Sequence, residues 1–415
     1  MSYLPRVADA ELASRLRRSG AVLIEGPRAC GKTELALRAA ASVIRVETDP
    51  NVTAYMEVDP GRILEGATPR LLDEWQWEPR LWDHVRRAVD DRRTQGQFIL
   101  TGSATPRDDA RRHSGAGRVS PMRLRTMSLW ERGKSSGEIS WETVRRGEAF
   151  RAEAIPLRLD DLAELVVRGG WPATLDWEVG DASAYVRDYL TLLADVDINR
   201  LSGTRRDPAR VRRLLASLGR NVATESSIST IATDVSDADA TLHRQTASEY
   251  LAALERLMIT EVQPAWSTAL KDSATLRRSP RWHFADPSLA AAAMGATVEK
   301  LVREPKTLGN LVESLAVHDL RVYAAGSDGQ VFHYRDSIGR EIDAVIQYPD
   351  GWVACEIKLG PGAVDAAAHS LTRAVASVDT QSVGEPDALV IITGTGPGYR
   401  RPDGIAVIPL GALRP

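Results

Sequence analysis

The sequence predicts an α/β protein of three domains, on three observations. Residues 1–130 alternate short apolar runs with amphipathic helical stretches, the order that builds a mostly parallel sheet covered on both faces. Residues 131–295 read as helical and close with three helices, a strand and a basic loop, the order of a winged helix-turn-helix. Residues 296–415 return to strands flanked by helices, a second α/β domain. A chain of 415 residues has room for two or three such units.

In the first domain Ala21–Glu25 (AVLIE) is a short buried strand, followed at once by a glycine loop and a helix through Ala41. Arg70–Asp73 ends a second strand, Leu81–Arg93 is an amphipathic helix, and Phe98–Thr101 is a third strand. Residues 105–120 and 131–140 read as polar surface loops. The middle domain opens on an acidic stretch over 160–199 that gives way to an arginine-rich one over 205–220. Val211–Leu218, Ser229–Val235 and Thr241–Leu257 are its three helices, and Ile259–Val262 is its strand. From Leu308 come a helix, strands Val331–Tyr334, Ile342–Gln347 and Trp352–Ile357, a helix from Val364 to Val378, and strand Ala388–Thr393.

Apolar content of 43% and charged content of 26% are those of a soluble globular protein. A net charge of −3 predicts no nucleic-acid or membrane partner from global charge, so any such surface is local. Cys30 and Cys355 form neither a disulfide framework nor a zinc cluster, which suits a reducing cytosol. No run approaches the roughly 18 apolar residues of a membrane span, and the expected location is the cytoplasm. Of 53 basic residues only six are lysine, at 32, 134, 271, 300, 306 and 358. A lysine kept at a motif position is therefore informative, because compact ammonium and planar guanidinium differ chemically.

Gly26-Pro27-Arg28-Ala29-Cys30-Gly31-Lys32-Thr33 satisfies the phosphate-loop pattern between a strand and a helix. Its glycines let backbone N–H groups converge on phosphate oxygens at a helix N-terminus. Lys32 then reaches the terminal phosphates, and the Thr33 hydroxyl ligates Mg2+. ATP and Mg2+ are the expected cofactors. A thiol reagent on Cys30 is expected to block the loop. Leu71-Leu72-Asp73-Glu74 supplies Asp73 for the metal and Glu74 to polarise the attacking water. Ser103, after Thr101-Gly102, is a candidate γ-phosphate or water contact, and Arg118, with Arg111 and Arg112 as competitors, a candidate for stabilising the transferring phosphoryl group. Arg118 acts in its own subunit or a neighbour's, so a homo-oligomer is one expectation.

These motifs together give residues 1–130 a resemblance to the ATPase module of a large prokaryotic branch of the AAA superfamily. It rests on the phosphate loop, Leu72-Asp73-Glu74 with Trp75-Gln76, Phe98-Ile99-Leu100-Thr101-Gly102-Ser103 and Gly117-Arg118. The resemblance implies a P-loop NTPase fold and ATP use more than a biological task, and it extends over most of the chain. The family usually carries a longer hydrophobic strand before its Asp-Glu; here Pro69-Arg70 shortens it.

In the C-terminal domain, Tyr348–Gly351 reads as a hairpin turn. A two- or four-residue loop pairs Asp343 opposite Lys358 or Glu356, and in either register all three share one face. Glu313, on the helix from Leu308, can add a third acid. The set resembles the restriction-endonuclease-like, PD-(D/E)xK core. That resemblance implies Glu313, Asp343 and Glu356 as metal ligands and Lys358 as a positioner of water. A working nuclease, a nuclease-like fold that no longer cuts, and a plain ion-pair ladder all remain open. In the middle domain His243 and Arg244 sit where helix-turn-helix proteins reach bases, and Lys271, Arg277, Arg278 and Arg281 can track phosphate as a wing. Trp75, Trp77 and Trp82 read as packing. Two functions compete: an ATP-dependent DNA-associated protein, and a nucleotide-operated switch whose other domains bind protein.

Overall fold

The computed structural model describes residues 3–102, 114–155, 157–199, 206–235, 242–267 and 279–415. The chain groups into two units: Met1–Thr126 with Asp197–Arg205 and Ala253–Ile259, and Met127–Val196 with Arg206–Ala252 and Thr260–Pro415. Among the described residues no helix is long and apolar enough to cross a membrane.

In the first unit, β1 (Ala21–Glu25), β2 (Ser42–Arg45), β3 (Arg70–Asp73), β4 (Phe98–Gly102) and β5 (Val119–Arg123) form one parallel sheet, ordered β2-β3-β4-β1-β5. Alternation along β1 feeds two cores. Ala21 and Leu23 join Leu72, Trp75, Trp82 and Phe98 on one face; Val22 and Ile24 join Leu35, Leu71 and Ile99 on the other. Trp75 and Trp82 pack with ring centroids 5.2 Å apart, as expected of packing residues, whereas Trp77 is exposed. Because β4 lies between β1 and β3, the ends of all three strands meet at one edge, the usual ligand crevice of such sheets.

The second unit holds β6 (Ile139–Ser140), β7 (Ala152–Ile155), β8 (Gln330–Arg335), β9 (Glu341–Gln347), β10 (Trp352–Lys358), β11 (Ala388–Thr393), β12 (Gly396–Arg400), β13 (Ala406–Pro409) and β14 (Leu413–Arg414). Seven of them form a mixed sheet in the order β7-β12-β13-β11-β10-β9-β8, and β6 pairs with β14. A strand from the stretch 131–295, β7, thus joins the C-terminal sheet through β12. The turn between β9 and β10 has four residues, closed by Tyr348 N–H donating to the Gly351 carbonyl at 2.8 Å. With Cys355 opposite Ala344, this register brings Asp343 opposite Glu356. Helix Val364–Val375 packs Leu371 and Ala374 against Ile342, Trp352 and Trp266.

Helices Pro208–Arg220, Ile228–Val235 and Arg244–Arg256 follow the predicted order. The strand expected at Ile259–Val262 is reduced to two antiparallel bridges, Thr260–Phe284 and Gln263–Arg281. Pro264, with no N–H to donate, interrupts any longer ladder. Residues 131–140, expected as surface, include Glu131 and Arg132, both buried. Ser128 explains the first, donating its backbone N–H and its hydroxyl to the Glu131 carboxylate.

Candidate functional site

Strand β1 delivers the loop 26–31 directly into helix Lys32–Ala39. Only glycine fits at Gly26, where a Cβ would lie 2.2 Å from the Leu124 carbonyl oxygen. Gly31 turns with φ +99°, the left-handed region that glycine adopts freely. Cys30 is fully buried and its thiol faces the Leu124 carbonyl at 3.6 Å, so a reagent reaches this sulfur only after the loop opens. The loop is tied from behind by Arg6, whose guanidinium donates to the Cys30 and Arg125 carbonyls. On its open side Arg28 pairs with Asp197 at 2.6 Å.

Lys32 is buried and its ammonium bridges the Gly26 and Pro27 carbonyls, at 3.0 and 2.9 Å. It thus lies across the mouth of the loop. The Thr33 hydroxyl donates to Asp73 Oδ1 at 2.8 Å, and the Thr101 hydroxyl donates to the same oxygen at 2.6 Å. Glu74 follows with φ +54°, its N–H donating to Thr101 Oγ1, while the Gln76 amide donates to its carboxylate. A hydroxyl and one carboxylate in mutual contact beside a phosphate loop are the oxygen set from which Mg2+ is held together with nucleotide phosphates. Glu74 projects beside that set from the strand end.

Thr101 and Gln76 were not legible as site residues from the sequence. A buried threonine ending an apolar strand is a weak signal, and only the insertion of β4 between β1 and β3 gives it a role. Ser103, Arg111 and Arg112 lie outside the described residues.

Arg118 stands elsewhere than expected. Its carbonyl accepts the N–H of Ala21, the first residue of β1, so it sits at the sheet edge opposite the phosphate loop. There its guanidinium holds Asp90 at 2.8 Å. The reason is topological: β5 runs parallel to β1, so the residue entering β5 lies where β1 starts. Arg118 does not reach this chain's own loop.

The C-terminal acids do converge, but on a cation supplied by the protein. Arg281 Nη1 lies 2.7 Å from Glu313 and 3.1 Å from Asp343, and its Nη2 lies 2.7 Å from Glu341. Lys358 pairs with Glu356 at 2.7 Å and approaches Asp343 at 3.6 Å. Asp343 Oδ2 also accepts the Ile357 N–H at 2.9 Å. Burial, reinforced by the charge of Asp343, pushes the Glu356 carboxyl up to about 7 despite Lys358. Burial works against the Arg281 charge, yet Glu313 and Asp343 outweigh it and hold the guanidinium charged. Among the described residues no three Asp, Glu, His or Cys side chains are arranged to hold a metal ion. The expected ligand set Glu313, Asp343 and Glu356 is instead paired with Arg281 and Lys358. Arg281, placed by the sequence on a phosphate-tracking wing, is 4% exposed and belongs to this cluster.

His243 and Arg244 are exposed at the start of helix Arg244–Arg256. Lys271, Arg277 and Arg278 lie outside the described residues.

Residues 18–132 match a family described as an AAA domain. Residues 159–300 and 308–413 match two domains of unknown function, DUF8612 and DUF4143. Two uncharacterized proteins, one of Mycobacterium tuberculosis and one of Mycobacterium bovis, are each 27% identical over 360 residues, spanning 85% of this chain and 73% of theirs. Among solved structures, a Walker-type ATPase of Pyrococcus abyssi overlaps 70% of this chain and 96% of its own, at 14% identity and a TM-score of 0.42, too low to establish a shared fold. The chain thus carries an N-terminal AAA-like P-loop ATPase domain within an α/β architecture.

Proposed function

We propose that this chain binds ATP with Mg2+ in the loop Gly26–Thr33 and hydrolyses it. The contact of Thr33 and Thr101 with one oxygen of Asp73, at the mouth of the loop, carries this reading. Lys32 exchanges two loop carbonyls for phosphate oxygens, Thr33 and Asp73 hold the metal, and Glu74 polarises the attacking water. Ser103 is a further contact of the γ-phosphate or water. A role for Arg118 at a phosphoryl group is confined to a neighbouring copy in a homo-oligomer. Asp73→Asn and Thr33→Ala test the metal assignment. Each is expected to raise the Mg2+ needed for half-maximal hydrolysis by at least the ~10-fold that loss of even an indirect metal partner costs. An unchanged Mg2+ dependence in both contradicts it.

For the rest of the chain, we infer a nucleotide-operated switch that engages a macromolecule without second chemistry. The observation that favours this over a working nuclease is the pairing of Arg281 with Glu313, Glu341 and Asp343. Mg2+-dependent DNA cleavage by the purified chain, lost in Asp343→Ala and Lys358→Ala, would overturn it. DNA contact through His243, Arg244, Lys271, Arg277 and Arg278 is the other engagement open to this half. It requires an affinity that falls steeply with salt.

A further inference from the structure

The geometry points to Arg281 as an internal substitute for a metal ion: its guanidinium takes the place among Glu313, Glu341 and Asp343 that a divalent cation would need, and removing it creates a cation site. This rests on the reading of the carboxylate cluster given above and is independent of nucleotide binding.

The resemblance of Asp343, Glu356 and Lys358 to a metal-dependent nuclease core makes a strong demand on the oxygens. A divalent ion needs several of them free and facing one point. Here Asp343 Oδ1 is committed to Arg281 and Oδ2 to the Ile357 N–H. Glu313 Oε1 is committed to the same Nη1 of Arg281, and Glu356 Oε1 to Lys358. A guanidinium presents fixed donors in a plane and does not lose its proton, so it satisfies such acids without hydration or coordination geometry.

Arg281 is also fastened. Its N–H and carbonyl exchange hydrogen bonds with Gln263, at 3.0 and 2.9 Å. The Gln263 side chain in turn donates to the Phe332 and Asp343 carbonyls, at 2.8 and 2.9 Å. The backbone that carries the guanidinium is therefore pinned to β8 and to β9, the strand of Glu341 and Asp343, and the cation belongs to the fold. Glu313, Glu341, Asp343 and Glu356 face Arg281 and Lys358, with Arg335 near Glu341 at 3.4 Å. Glu356 Oε2 stays buried without a hydrogen-bond partner. Removing the guanidinium leaves Glu313, Glu341 and Asp343 without the cation they share.

The test is a Mn2+ titration followed by the EPR signal of free Mn2+. Every protein carries Asp73→Asn with Thr33→Ala, so that cation binding at the phosphate loop is weakened and identical across the series. With Arg281 present, no Mn2+ is expected to bind up to millimolar concentration. Arg281→Gln is expected to bind one Mn2+ per chain with a dissociation constant below about 1 mM, as in weak oxygen-ligand sites. Mn2+ is also expected to raise its melting temperature, and adding Glu356→Gln to weaken binding at least about tenfold. If Arg281→Gln alone does not fold, its refolding with and without millimolar Mn2+ is read instead: folding only with Mn2+ supports the site, and no folding in either overturns it. A folded variant that binds no Mn2+ overturns the proposal. So does Mn2+ binding at this cluster with Arg281 in place, recognised by its loss in Glu356→Gln.

Discussion

Lys32→Ala is expected to weaken Mg-ATP binding by at least about 30-fold, and Glu74→Gln to leave binding intact while slowing turnover. The lysine is buried and already held by two loop carbonyls, so its ammonium is set at the phosphate mouth before nucleotide arrives. Removing one partner of a buried, hydrogen-bonded charge pair costs about 2–5 kcal/mol, and each ~1.4 kcal/mol is tenfold in affinity. Glu74 is different. The Gln76 amide donates to its carboxylate, and its own N–H donates to Thr101 Oγ1. Its replacement by an amide keeps the shape and removes the base, a loss of about 10²- to 10⁴-fold in the chemical step. Isothermal titration separates the first effect, and single-turnover hydrolysis the second. Equal losses of affinity in both variants would contradict this division of labour.

The second large effect is a pH dependence seated on Glu356. Burial and the nearby Asp343 raise this carboxyl from 4.5 to about 7, with Lys358 and Arg281 opposing. Between those two values the native chain binds a proton that the unfolded chain has lost. Stability from this group is therefore full below about pH 4.5 and declines as pH rises through 7. At 1.36 kcal/mol per unit the decline amounts to about 3 kcal/mol across the window. Glu313 shifts in the same direction, from burial first and Asp343 second. Glu356→Gln removes one titration and keeps a hydrogen-bonding side chain beside Lys358. Its unfolding free energy, measured by urea at pH 5.5 and 8, is expected to fall less with rising pH than that of the wild type. Identical pH slopes in the two proteins would contradict the assignment.

What the sequence disclosed and what it hid follow from how far each signal reaches along the chain. The loop Gly26–Thr33 was legible because its parts are consecutive: an apolar run that must be a buried strand, glycines where backbone approaches closely, and a scarce lysine. Asp343, Glu356 and Lys358 were legible as neighbours because a strand's period of two and a short hairpin fix their common face. Arg281 was not. Its partners lie 32, 60 and 62 positions away, and no periodicity links a bridge residue in an irregular hairpin to a helix and a strand. The position of Arg118, away from this chain's own loop, was hidden for a related reason. The motif Gly117-Arg118 carries no sign of which sheet edge it occupies; the direction of β5 decides that. Strand β5 itself escaped notice because Pro121 argues against a strand, yet as an edge strand it tolerates the missing N–H.

The proposed ATPase function depends on nucleotide entering the loop that Lys32 closes. Equilibrium titration of Mg-ATP into the purified chain and into Lys32→Ala tests this most directly. Saturable binding of one nucleotide per chain is expected in the wild type, and at least about 30-fold weaker binding in the variant. Wild-type and variant chains binding Mg-ATP alike, or neither binding it, would contradict it.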